Sequence, residues 1–171
     1  MGEQPESWIN LAVLGAVALL ATYAGYLGIA GLKGRSPAGQ TVVNITMPLA
    51  QGTYLIAQGG SNQTVNKHYT TLDETVPRYA AWRGQSKGLD IIRIDRFGLR
   101  ASALLPENPA EYYTFDAPVL SPCEGPVIEA LDGIRDMPVP QMDRDHMLGN
   151  HVIIQCEGFF VVLAHFRKGS V

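Results

Sequence analysis

Residues 11–32 form an apolar run of 22 residues that contains no Asp, Glu, Lys or Arg. At about 1.5 Å per residue, such a run makes a helix of roughly 33 Å, close to the hydrocarbon thickness of a bilayer. Trp8 precedes the run and Tyr23 and Tyr26 lie nearer its other end, as interfacial aromatics often do. A cleavable leader wants a basic stretch ahead of a shorter apolar core. Here Glu3 and Glu6 precede the run, without Lys or Arg. A helix buried in a soluble core shows a polar stripe, and this run has none. The expectation is one N-terminal transmembrane helix, with the membrane as its partner. Ala21/Gly25 and Ala24/Gly28 have the spacing of small residues that pack helices in lipid, although such residues are common in any membrane helix. Lys33 and Arg35 follow the run. The positive-inside tendency would place the rest of the chain in the cytoplasm, but two charges are a weak topology signal.

Beyond residue 36 the texture changes. Short segments rich in Val, Ile, Phe and Tyr alternate with Gly, Pro, Asn and Asp, the pattern of strands and turns. Strands are expected at 41–47, 53–57, 89–95, 126–130, 151–156 and 159–166. Glu157-Gly158 joins the last two as a hairpin, with Gly where a positive φ is needed. No long helical period is seen after residue 36; residues 110–114 make a helical turn at most. The long polar loops 59–88 and 131–149 stand out, since loops of that length are usually functional or disordered. The second is acidic but lacks the ligand spacing of a calcium loop. The expected division is 1–35 for the N-terminal segment with its transmembrane helix, 36–47 for linker and first strand, and 48–171 for a mainly β, antiparallel-sheet domain. Net charge is −3, with no basic stripe, so the chain has no nucleic-acid footprint. Cys123 and Cys156 are too far apart in sequence for a CxxC motif; they are free thiols in a reducing compartment or a pair in an oxidising one.

The sequence contains no HExxH, no GxSxG and no phosphate-binding glycine loop. What remains are dispersed residues. His68 lies in the first long loop, Asp90 opens an apolar strand and His165 ends a later one. Individually, each has a plain reading as a solvated loop histidine, a turn or edge carboxylate and a half-buried strand histidine. Together they are of the types that hold zinc and move protons, if they converge over one sheet face.

The order of local patterns narrows the choice. Gln58-Gly-Gly-Ser-Asn62, Val65-Asn-Lys-His68-Tyr69, Arg78-Tyr-Ala80 and Leu89-Asp90-Ile91 are followed by Phe115-Asp-Ala-Pro118-Val119 and Ser121-Pro122-Cys-Glu-Gly125-Pro-Val127. Gly149-Asn150-His151-Val152 and Leu163-Ala-His165-Phe-Arg-Lys-Gly169-Ser170-Val171 close the series. From about Pro48 onward this series resembles the lysostaphin-type zinc metalloendopeptidases. The resemblance implies a β-sheet groove holding one Zn2+, with peptide bonds of peptidoglycan as substrate. It places His68 and Asp90 as metal ligands and His165 as the catalytic histidine that assists the zinc-bound water. The gap between His68 and Asp90 is wider than in the best-known members, so an insertion around 82–87 is expected to loop out. The chain stops at Val171, where the family continues to a His-x-His that supplies the third ligand. Neither His146 nor His151 stands where it would replace that ligand. The expectation is a truncated or degenerate copy with an incomplete zinc site and little or no peptidase activity. A wall substrate further implies the exported side of the cell membrane. Two other readings compete: a non-catalytic, membrane-tethered module that binds cell wall or a partner, and a β subunit of an envelope assembly.

Overall fold

The computed structural model describes residues 5–37, 39 and 41–171. Helix α1, Pro5–Gly34, contains the whole apolar run. It is long and apolar enough to cross a membrane. Every position from Ser7 to Ile29 is exposed, and side-chain packing begins only at Ala30. A helix that presents Leu, Val and Ile on all sides needs an apolar surrounding to cover them.

Two compact units divide the chain. The first comprises the residues up to Val42 together with Ile56–Asp90, and the second Val43–Leu55 with Ile91–Val171. Strands β1, Thr53–Gln58, and β2, Asp90–Ile94, form a two-stranded sheet. Strands β3, Val127–Leu131, β4, Asn150–Cys156, and β5, Phe159–Phe166, form an antiparallel sheet in that order. The β4–β5 hairpin turns at Glu157-Gly158, with Gly158 at φ 78°, as its sequence predicts. Five of the six expected strands are present. The sixth, 41–47, has no regular structure and joins no ladder. Thr46 N–H donates to Pro122 O at 2.8 Å, a single tie in place of strand pairing.

The description of the chain as mainly β needs correction. Helix accounts for 29% of the residues and strand for 21%. Besides α1, the first polar loop winds into 3-10 segments at Lys67–Leu72 and Pro77–Lys87, and a third lies at Pro109–Glu111. Residues 82–87, expected to loop out, belong to the second of these segments.

The Pro-x-x-Gly segment organises the sheet unit. Pro122 is fully buried. Cys123 is bridged to Cys156 at the end of β4, with 5.9 Å between their Cα atoms. A Cβ on Gly125 would stand 2.0 Å from Gln155 O, so only glycine lets the two backbones approach this closely. Gln155 N–H then donates to Pro126 O, leading the chain into β3.

Candidate functional site

His68 and Asp90 come together in the first unit. Asn66 caps the 3-10 segment Lys67–Leu72, accepting a hydrogen bond from His68 N–H. Asn66 is completely buried. Its amide nitrogen donates to Gly60 O at 3.3 Å and Gly88 O at 3.1 Å, tying two loop strands together. Its oxygen also lies 2.9 Å from His68 Nδ1. The two bonds to carbonyls fix which side of the amide is nitrogen, and the amide oxygen can only accept, so Nδ1 carries the proton. In the neutral ring Nε2 is then the acceptor. Gly88 permits this placement, since a Cβ there would stand 3.4 Å from the His68 ring and 3.0 Å from Gln85 O.

Nε2 of His68 lies 3.4 Å from Asp90 Oδ1. Asp90 is the first residue of β2, and its side chain is about half exposed, against a quarter for His68. The separation exceeds the ~2.7–2.9 Å of a charge-assisted hydrogen bond. It matches the ~3.3–3.4 Å expected between two ligand atoms set at about 2.0–2.1 Å from one tetrahedral zinc. A lone-pair nitrogen and a carboxylate oxygen at this bite fit a metal ion. Among the described residues no group of three His, Cys, Asp or Glu side chains is assembled to hold one.

The other histidines have different settings. His146 Nδ1 lies 2.9 Å from Asp143 Oδ2, a local contact three residues apart on an exposed loop. That hydrogen bond, together with the Asp145 N–H, holds the Asp143 carboxyl below its ordinary value. His151 is buried, with Nδ1 2.8 Å from Gly149 O and Nε2 3.2 Å from Glu129 Oε1. Both of its ring nitrogens thus have oxygen partners within the second unit.

His165 belongs to the second unit. On β4, Asn150 pairs with Phe166 and His151 with Ala164, which leaves His165 as the extra residue of a β-bulge. It has φ 64°, in the left-handed region that few residues other than glycine adopt. Its N–H donates to Leu148 O at 3.0 Å. Its side chain is exposed rather than half-buried, because the bulge breaks the alternation that the strand pattern assumes. Bulges re-aim side chains and are frequent beside active sites, and strained backbone is concentrated there.

The residue that sequence reasoning missed is Asn66. Its position two residues before His68 was the available signal, but its role requires the carbonyls of Gly60 and Gly88, which only the fold brings near.

Comparison with protein-family models, with characterised proteins and with solved structures gave no match.

Proposed function

We propose that this chain carries a zinc site of the lysostaphin-like endopeptidase type, tethered to a membrane by α1, and directed at peptide bonds of peptidoglycan. The observation that carries this reading is the His68–Asp90 pair, with its 3.4 Å bite and a buried amide fixing the histidine tautomer. Orientation of a ligand histidine through its other ring nitrogen is a general property of metal sites. His68 would donate the Nε2 lone pair. Asp90 would supply an oxygen and a negative charge. His165, on its bulge, would hold or relay a proton at a ring nitrogen. Zinc, when bound, acidifies a coordinated water and polarises the scissile carbonyl. The Cys123–Cys156 bridge supports placement on the exported side, where disulfides persist.

The absence of a three-ligand cluster among the described residues favours one other reading, a membrane-tethered wall- or partner-binding module without catalysis. Two protein ligands also imply weak zinc binding and weak or no activity for this polypeptide alone.

Zinc titration of the full chain in detergent, followed by calorimetry, separates the two. Saturable binding of one zinc per chain, lost in His68→Ala and in Asp90→Ala, is the expected result. No zinc binding by the wild type, or binding unchanged in both variants, would remove the peptidase reading and leave the binding module.

A further inference from the structure

A cavity of about 170 Å³ lies where α1 ends, lined among others by Arg35, Ser36, Pro37, Ser61, Tyr69 and Lys87. All of these residues belong to the first unit. The loop that forms one wall is bound to the helix terminus. Ser61 N–H donates to Gly34 O at 2.8 Å, the Ser61 hydroxyl bonds Gly34 O and Ser36 O, and Asn62 Nδ2 donates to Ala30 O at 2.7 Å. These side chains satisfy carbonyls that a helix end otherwise leaves open. They also hold the cavity at a fixed height on the helix axis.

That height is informative. The all-round exposed part of α1 ends at Ile29. Gly34, at the cavity wall, follows five residues later, about 7 Å further along the axis. The headgroup zone of a bilayer is about 5–7 Å thick on each side. With the exposed part of α1 in hydrocarbon, the cavity sits among headgroups. Its lining residues include the two basic ones Arg35 and Lys87 and no acidic residue among those described. Arginine and lysine are the residues that recognise phosphate oxygens, and tyrosine is at home in the interface.

We propose that this cavity binds the phosphodiester of an anionic phospholipid, which fixes the first unit against the membrane surface. The proposal depends on α1 lying in a bilayer and not on the zinc reading. A phosphate group is the shared chemistry, and the bilayer is its source at this depth.

The test uses the full chain in nanodiscs of phosphatidylcholine, with and without phosphatidylglycerol, and native mass spectrometry to count retained lipid. The wild type is expected to retain phosphatidylglycerol in preference to phosphatidylcholine. Each cation near a membrane surface is worth about 1 kcal/mol, so Arg35→Gln or Lys87→Gln should each reduce the preference about fivefold. The exchanged pair Arg35→Lys with Lys87→Arg should keep it. Arg135→Gln with Arg144→Gln, which removes two cations from the second unit against one in either single variant, should also keep it. An undiminished preference in both Gln variants would overturn the proposal, as would an equal loss in the second-unit pair. Protection of the wild type by inorganic phosphate in phosphatidylcholine discs, matching that by phosphatidylglycerol, would assign the site to free phosphate and overturn the lipid assignment. Thermal unfolding in phosphatidylcholine discs identifies any variant that has lost its fold; the two single variants are read independently.

Discussion

The two units draw on apolar burial to different degrees. In the second, Ala101, Ile154, Cys156 and Pro122 are buried beside the polar Asn150 and His151, a three-strand ladder runs through β4, and a disulfide closes a span of 33 residues. In the first, the buried side chains are polar, Asn66 and Thr71, and the loops are held by side-chain bonds to backbone carbonyls. Apolar burial is non-directional, whereas a buried amide with all its partners fixed allows one geometry. The His68–Asp90 pair lies in the unit held by polar contacts, the arrangement that orients a histidine to a stated nitrogen. The sheet unit carries, at its own bulge, the re-aimed His165.

The contrast can be broken most forcefully at the disulfide. By chain entropy, a closed loop of this size contributes about 3–4 kcal/mol. Cys123→Ala with Cys156→Ala should therefore lower the unfolding free energy by that amount, read as a fall in the urea midpoint at unchanged m value. Hydrogen exchange should rise mainly at the amides of β4 and β5. Equal loss of protection around Asn66 would show that the two units do not differ in what orders them.

A smaller effect is expected at Asn66. Removing its amide leaves Gly60 O, Gly88 O and His68 N–H without their partner, at about 1–3 kcal/mol. Asn66→Ala should also weaken zinc binding by about 10–100-fold if His68 is a ligand, the usual effect of losing an outer-shell partner. Asn66→Asp retains the acceptor but not the donors, so it should lose stability while keeping more of the zinc affinity than alanine does. Equal zinc affinity in Asn66→Ala and wild type would detach the amide from the site.

How much of this was legible in the sequence follows from the kind of order involved. α1 was readable because an uncharged run of 22 residues admits few structures. The strands β1 to β5 were readable to within two residues because β-branched and aromatic segments were punctuated by Gly and Pro. Residues 41–47 have the same composition, yet strand composition becomes a strand only where a partner edge is available. The 3-10 segments at Lys67–Leu72 and Pro77–Lys87 carry no apolar period, so nothing local announced them. Of the site, His68, Asp90 and His165 were selected by pattern. The pairing of the first two, the bulge under the third and the role of Asn66 depend on contacts between residues as far apart as Asn66 and Gly88.

The finest test of the contrast lies in a carboxylate of the second unit that behaves as the amide does in the first. Asp132 Oδ1 accepts from Gly169 N–H at 2.8 Å and from Gly133 N–H, and Oδ2 accepts from Val171 N–H at 3.3 Å. Nearby, Asp136 accepts from Lys168 N–H at 3.0 Å. The chain after β5 is thus tied down by acceptors rather than by apolar packing. The bond from Gly169 and then that from Gly133 hold the Asp132 carboxyl below its ordinary value. A carboxyl lowered in the folded state stabilises it fully above the unfolded value, near 4, and loses that contribution as pH falls through the lower folded value. Exchange of the Gly169 amide should accordingly quicken relative to β4 amides only in acid, below about pH 4. Asp132→Ala should produce the same loosening at neutral pH, severalfold in exchange rate, with β4 unaffected. Uniform protection of Gly169 in the alanine variant would mean that the segment is held by packing, and the difference between the two units would then be narrower than their buried residues imply.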